Sequence, residues 1–132
     1  MSAYCWFDYS TVILTGASSG IGKDLAIRLI KDHGCNIIGI ARNVERLEGV
    51  KTELGALGHK FTYYSMDVSK REGWENLRND LEEKGIQADI LINNAGTQND
   101  ADIDINLKAL IKVTEKYGVR EGIHSILNIG SA

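Results

Sequence analysis

The stretch Thr15-Gly16-Ala17-Ser18-Ser19-Gly20-Ile21-Gly22 decides the fold, because it stands between two segments of different periodicity. The apolar run Val12-Ile13-Leu14 precedes it directly and is typical of a strand. After it, apolar residues recur at the three- and four-residue steps of a helix, at Leu25, Ala26, Leu29 and Ile30. The sequence therefore predicts a strand, a glycine turn and an amphipathic helix in that order.

The three glycines of this turn have separate predicted roles. The first permits a tight turn, the second lets the backbone approach a pyrophosphate, and the third lets the helix pack close to the strand. The helix N-terminus adds free N–H groups, and the two serines add hydroxyl donors. A glycine-rich turn without a ligand is the alternative, but the strand–turn–helix context favours a dinucleotide site. The predicted binding residues are Gly16, Ser18, Ser19, Gly20, Ile21 and Gly22.

Outward from the turn, short apolar or β-rich runs alternate with helical patterns to the end of the chain. Apolar residues are consecutive in the strands, as expected for a sheet that is covered on both faces. This alternation predicts a Rossmann-like, doubly wound parallel α/β sheet of about five strands, with helices on both faces. The predicted strands are 12–14, 37–40, 61–66, 90–92 and 123–129, and the helical patterns between them include 44–57, 74–81 and 107–114.

Composition narrows the class of protein. The chain has 132 residues, 43% of them hydrophobic and 25% charged, which predicts one soluble domain over 1–132. The net charge of −3 argues against nucleic acid and anionic membranes as partners, and no apolar run has the length of a membrane span. The first residues lack the pattern of a signal peptide, so we expect a cytoplasmic protein. Neither Cys5 and Cys35 nor the three histidines have metal-ligand spacing, so no metal site is predicted.

The pattern Thr-Gly-x-x-x-Gly-x-Gly at 15–22 resembles that of the short-chain dehydrogenase/reductase family. Further motifs follow in the family's order: Asp67-Val68 after the third strand, Asn93-Asn94-Ala95-Gly96 after the fourth, then Asn106 and Ser131. These motifs follow strand ends or open helices, where an open α/β sheet binds its ligand. The resemblance implies that Asp67 and Val68 contact adenine, that Asn94, Ala95 and Gly96 belong to the cofactor site, and that Asn106 and Ser131 are catalytic.

The residues after the second strand indicate which dinucleotide would bind. A site for NAD usually has Asp or Glu about 20 residues after the glycine turn, where it accepts hydrogen bonds from the ribose hydroxyls. Ala41 and Arg42 occupy this place instead. No carboxylate would repel a 2′-phosphate there, and a guanidinium can pair with one. We therefore predict NADP(H), with NAD(H) as the alternative cofactor and a solvated surface side chain as the alternative reading of Arg42.

The chain departs from the family pattern in two places. The resemblance implies an acid Tyr, followed four residues later by Lys, shortly beyond Ser131, whereas the sequence stops at Ala132. None of the five tyrosines is followed four residues later by Lys. The segment between Gly96 and Asn106 is also shorter than the family's. We therefore expect a domain that is incomplete at its C-terminus.

Together these features predict an oxidoreductase that transfers hydride between NADP(H) and a small-molecule ketone or secondary alcohol. The resemblance allows a 3-oxoacyl or steroid-like substrate and implies a homo-oligomer in the full-length form. Because the acid Tyr and its Lys are absent, we expect the chain as given to be inactive. The alternative is a non-catalytic dinucleotide-binding fragment or remnant.

Overall fold

A computed structural model describes residues 7–18 and 20–94 in full and the backbone of residues 125–128. One sheet contains five strands in the order β3-β2-β1-β4-β5, and every pairing is parallel. In the central strand, Val12 pairs with Ile37 on one side and with Ile90 on the other. The predicted parallel sheet of five strands is confirmed. The strands are β1 Thr11–Thr15, β2 Asn36–Ala41, β3 Phe61–Ser65, β4 Ile90–Asn93 and β5 Ser125–Asn128.

Helices cover both faces of the sheet, as predicted. The helices are α1 Gly20–His33, α2 Val44–Leu54 and α3 Arg71–Glu83. Because successive strand residues point to opposite faces, Val12 and Leu14 pack in one core with α1 and α2, whereas Ile13 packs in the other core with α3. The helical pattern predicted over 107–114 lies outside the described residues.

Helix α2 ends earlier than its apolar spacing predicts. The sequence pattern continues to Leu57, but α2 stops at Leu54 and a 3₁₀-helix follows over Gly55–Lys60. Gly55 caps the helix with a φ of +60° and a ψ of −120°, a backbone conformation that L side chains rarely adopt and that is open to glycine. Leu57 keeps its contact with the core from the 3₁₀-helix, so spacing alone did not separate the two elements.

Helix α3 buries three residues at helical spacing, Trp74, Leu77 and Leu81. Burying a large apolar side chain stabilises a fold by about 1.5–3 kcal/mol, so this stripe fixes α3 on the sheet. The Trp74 indole also donates a buried hydrogen bond of 2.8 Å to the carbonyl of Val68. This bond ties the helix to the loop that leaves β3.

The strand order produces a crevice at one edge of the sheet. From β1 the chain moves outward to β2 and β3, and then returns to place β4 on the other side of β1. We call the edge where Thr15, Ala41, Ser65 and Asn93 end their strands the carboxyl edge. At the carboxyl edge the strand order reverses between β1 and β4. The space outside such a reversal is the usual ligand position in open α/β sheets. Among the described helices, none combines the length and apolarity that crossing a membrane requires.

Candidate functional site

The glycine turn after β1 leaves open space at the N-terminus of α1. Gly16 and Gly20 have φ values of +66° and +57°, a region that L side chains rarely adopt. A Cβ atom added at Gly20 would meet no atom within 4 Å. The N–H of Gly16 donates to the carbonyl of Ile40 at 2.8 Å, which fixes the turn against β2. The backbone is therefore held in place while the space beside Gly20 stays free for a ligand.

Gly22 has the opposite surroundings. A Cβ atom there would lie 1.9 Å from the Gly16 carbonyl oxygen and 2.5 Å from Nδ2 of Asn94. Helix α1 therefore packs so closely on the turn and on the end of β4 that only glycine fits. This is the close packing predicted for the third glycine of the motif.

Polar contacts join the ends of β1 and β4 across the crevice. The fully buried Thr15 hydroxyl donates to Oδ1 of Asn93 at 3.1 Å and accepts from the backbone N–H of Asn94 at 2.8 Å. Nδ2 of Asn94 donates to the Gly16 carbonyl at 3.3 Å. The sequence alone predicted no separate role for Thr15. The sequence feature that could have indicated this role is a polar residue placed between a buried strand and a glycine turn.

The N-terminus of α1 suits an anionic ligand. Its first turn contains no acidic residue, so its N–H groups and positive dipole end are not offset by a local carboxylate. Lys23 is engaged with Glu53 of α2, at 3.3 Å. Ile21 is 67% exposed, which places an apolar surface beside the turn. Ser18 is half-buried in the same turn, and Ser19 lies outside the described residues.

A cation stands at the end of β2. The Arg42 side chain is exposed and forms no ion pair within 4 Å among residues 7–18 and 20–94. Its backbone is fixed, because its carbonyl accepts from the Ser65 hydroxyl at 2.8 Å. The adjacent N–H of Met66 donates to the Ala41 carbonyl at 3.0 Å. The guanidinium is therefore available to a ligand, while the backbone that carries it is held by hydrogen bonds from the end of β3.

Asp67 and Val68, which the resemblance pairs, have different environments. Asp67 is half-buried as a residue, and its carboxylate accepts two hydrogen bonds from Ser69. These bonds, together with the charges of Arg42 and Lys70, hold the pKa of Asp67 below its ordinary value. Val68 is only 6% exposed, and its side chain packs in the α3 core. Asp67 thus belongs to the site surface, whereas the Val68 side chain belongs to the interior.

The carboxyl edge therefore collects most of the predicted cofactor residues that the structure describes. Gly16, Ser18, Gly20, Ile21, Gly22, Arg42, Asp67 and Asn94 all lie at strand ends of this edge or at the helix start beside it. Ala95, Gly96, Asn106 and Ser131 lie outside the described residues. Within the part of the chain that is described, no three His, Cys, Asp or Glu side chains are grouped to hold a metal ion.

Comparisons with known proteins agree with this architecture. The family model described as short chain dehydrogenase matches residues 10–129. The 3beta-hydroxysteroid dehydrogenase 2 of Eggerthella lenta is 30% identical over an alignment of 128 residues, which covers 91% of this chain and 49% of that protein. The Pseudomonas aeruginosa RhlG/NADP complex has a TM-score of 0.79 and 26% identity, covering 99% of this chain and 58% of that one. L-sorbose reductase from Gluconobacter frateurii, complexed with NADPH and L-sorbose, has a TM-score of 0.68 and 26% identity, covering 92% and 52%.

The chain spans only part of the length of the relatives that it matches. The matched part spans 32% of the Mediterraneibacter gnavus 3beta-hydroxysteroid dehydrogenase and 49% of the Eggerthella lenta protein, which is less than two thirds of either. The family match runs from the residue before β1 to the residue after β5 and so includes the glycine turn and all five strands. The chain belongs to the short-chain dehydrogenase/reductase family.

Proposed function

We propose that this chain is the nucleotide-binding domain of an oxidoreductase that binds NADP(H) at its carboxyl edge. The observation that carries the proposal is the open space beside Gly20, at a helix N-terminus without a first-turn carboxylate. Diphosphate needs such a place, where backbone N–H groups approach it without a side chain between them. The solved relatives that contain NADP or NADPH support the choice of a nicotinamide dinucleotide.

The described residues fit the other parts of the cofactor. Arg42 offers a planar, exposed cation for a 2′-phosphate, and the Asp67 carboxylate offers an acceptor for the adenine amino group. The turn from Gly16 to Gly22 would hold the diphosphate, which would lie between the Arg42 and Asp67 contacts on one side and the crevice on the other. When bound, the nicotinamide supplies or accepts the hydride. Asn94 lies at the crevice itself, where its side chain holds the turn.

For the whole protein we propose interconversion of a small ketone, 3-oxoacyl or steroid-like, and a secondary alcohol. The family match and the names of relatives, among them 3beta-hydroxysteroid dehydrogenase and a 3-oxoacyl reductase, support this reaction class. We further propose Ser131 and Asn106 as catalytic residues, Ser18, Ser19, Ile21, Val68, Ala95 and Gly96 as further cofactor-site residues, a homo-oligomeric full-length form and a cytoplasmic location. NAD(H) is the alternative cofactor.

A second candidate function is nucleotide binding without catalysis. It is favoured by one observation, that no tyrosine in the sequence is followed four residues later by Lys. A positioned acid typically contributes about 10²–10⁴-fold to such a rate. On this ground we propose that the 132-residue chain binds NADP(H) but does not reduce ketones at an enzymatic rate. NADPH consumption by this polypeptide in the presence of ketones and 3-oxoacyl compounds distinguishes the two functions.

The test of the cofactor proposal is calorimetric titration with NADPH and NADH. We expect NADPH to bind more tightly, and Arg42→Ala to narrow the gap by about ten- to a hundredfold, the value of a hydrogen bond to a charged group. Arg28→Ala is the matched control, because it removes an exposed arginine of α1 that pairs with Asp24. Equal affinity for both nucleotides, unchanged by Arg42→Ala, would show that Arg42 does not select the cofactor.

A further inference from the structure

We infer that Lys51 and the 3₁₀-helix close the edge of the sheet at β3 to the addition of another strand. An exposed edge strand offers unpaired N–H and C=O groups to any other extended segment, and a second copy of this chain would supply one. Among the described residues, β3 pairs with β2 alone. The inference does not depend on the nucleotide, because it concerns how the sheet ends.

The register of β3 shows which of its backbone groups face outward. The Met66 N–H donates to the Ala41 carbonyl at 3.0 Å, so every second residue back from Met66 directs its backbone groups at β2. The backbone groups of the residues in between point away from the sheet. These residues are Phe61, Tyr63 and Ser65.

Both outward groups of Phe61 already have partners. Its N–H donates to the carbonyl of Gly58 in the 3₁₀-helix, and its carbonyl accepts from Nζ of Lys51 at 3.3 Å. Lys51 is half-buried and forms no ion pair within 4 Å among the described residues. Its ammonium therefore serves the carbonyl of an edge strand, and a charged donor is a stronger partner there than the N–H of an added strand.

Close packing holds this closure in place. Gly58 is buried, and a Cβ atom added to it would lie 2.9 Å from the carbonyl oxygen of Lys51 and 3.3 Å from its Cγ. The 3₁₀-helix thus lies directly against the residue whose side chain covers the Phe61 carbonyl. A strand added at Phe61 would have to displace both the 3₁₀-helix and the Lys51 ammonium.

The part of the edge that remains open is short and flanked by charge. It consists of the outward groups of Tyr63 and Ser65, whereas an ordinary strand has about five residues. The Tyr63 hydroxyl donates to Glu48 of α2 at 2.5 Å on one face, and the Tyr64 hydroxyl donates to Asp80 of α3 on the other. An added strand would have to desolvate these carboxylates for few hydrogen bonds. The homo-oligomer proposed for the full-length form would therefore use another surface.

The experiment is amide hydrogen exchange, followed by NMR, on the 132-residue chain over a range of protein concentrations. In the wild type, the Phe61 amide should be protected, and the Tyr63 and Ser65 amides should exchange rapidly at every concentration. Lys51→Met keeps much of the length of the side chain and removes the donor. In this variant the exchange of Tyr63 and Ser65 should slow by about tenfold as the concentration rises, because two freed Phe61 carbonyls can accept from two copies of the edge.

Two further variants control for the change of side chain. Lys51→Arg retains a charged donor and should exchange like the wild type. Lys31→Met is the matched control, because it removes an exposed lysine from α1 and leaves β3 unchanged. Association of the chain through another surface would leave the Tyr63 and Ser65 amides unaffected, so the readout is specific to this edge.

The outcomes decide the inference in either direction. Concentration-dependent protection of Tyr63 and Ser65 in the wild type would overturn it, since the edge would then be open. A folded Lys51→Met chain whose exchange does not depend on concentration would overturn it as well. If Lys51→Met does not fold, Gly58→Ala decides, because the added methyl forces the 3₁₀-helix and Lys51 apart. Exchange like that of the wild type in a folded Gly58→Ala chain would then refute the closure.

Discussion

Gly20 and Gly22 stand two residues apart and carry different constraints. At Gly20 the constraint is on backbone conformation, with φ at +57° and open space beside the Cα atom. At Gly22 the constraint is space, because the Gly16 carbonyl and Asn94 occupy the volume of a side chain. One motif therefore combines a position with open space beside it and a position that close packing restricts to glycine.

The packing constraint predicts a loss of stability. Gly22→Ala should lower the free energy of unfolding by about 1–3 kcal/mol, since the added methyl meets backbone and not a flexible side chain end. Gly49→Ala is the matched control, because Gly49 is also helical and has nothing within 4 Å of an added Cβ. That control should gain about 0.5–1 kcal/mol from helix propensity. Urea unfolding measures both, and equal effects would show that α1 does not pack on the turn as described.

Single-residue roles were predictable from sequence where a motif has fixed spacing. The glycine spacing predicted the tight turn at Gly16 and the close packing at Gly22, and the structure shows both. The roles of Thr15 and Ser69 could not be predicted in this way. Thr15 acts on residues 78 and 79 positions away, and Ser69 acts through a local turn that leaves no periodic pattern.

At the scale of elements, β3 and α3 are joined by polar as well as apolar contacts. The Tyr64 hydroxyl on β3 donates to the Asp80 carboxylate on α3, and Lys84 pairs with the same carboxylate at 2.9 Å. Lys84 also lies 5.7 Å above the Tyr64 ring. The Tyr64 hydrogen bond, followed by that of Lys84, lowers the pKa of Asp80.

This contact predicts an acid-dependent loss of stability. Because the folded pKa of Asp80 is lowered, its contribution is present above the ordinary value of 3.8 and is lost as the pH falls through the folded value. Asp80→Asn should therefore have a lower free energy of unfolding than the wild type at neutral pH. As the pH falls from neutral to acidic, that free energy should decrease less in Asp80→Asn than in the wild type. Glu82→Gln, an exposed carboxylate change on the same helix, is the control. Urea unfolding from neutral to acidic pH measures the slopes, and parallel slopes for wild type and Asp80→Asn would contradict the prediction.

Element identities were predictable because their apolar periodicities differ. Consecutive apolar residues indicated strands covered on both faces, and the three- and four-residue steps indicated α1, α2 and α3. The break between α2 and the 3₁₀-helix was missed, because Leu57 continues the spacing while Gly55 changes the backbone. Periodicity reports which side chains face the core, and it is insensitive to the helix type that places them there.

At the scale of the whole molecule, ligand binding should change the stability of the fold. A nucleotide that binds only the folded state stabilises it by about 2.7 kcal/mol at a hundred times its Kd. The strand ends that would bind it belong to four strands, so the effect concerns the entire sheet. The sequence predicted this convergence, because carboxyl ends of parallel strands meet at one edge.

Substitution of two glycines with positive φ, Gly20 and Gly55, tests this stabilisation by the nucleotide. NADPH should raise the Tm of the wild type and of Gly55→Ala but not that of Gly20→Ala. Gly20 and Gly55 have φ values of +57° and +60°, and neither has an atom within 4 Å of an added Cβ, so alanine is strained by the backbone and not by a neighbour at both positions. Gly20 alone stands at the proposed phosphate position. Equal NADPH-induced shifts in the two variants, measured by thermal melting, would place the diphosphate elsewhere.

The Thr15 hydroxyl connects the two sides of the crevice. It connects Asn93 and the Asn94 N–H to β1, while the Asn94 side chain grips the turn itself through Gly16. Three hydrogen bonds therefore couple the glycine turn to the end of β4, so we expect a displacement of the one to displace the other.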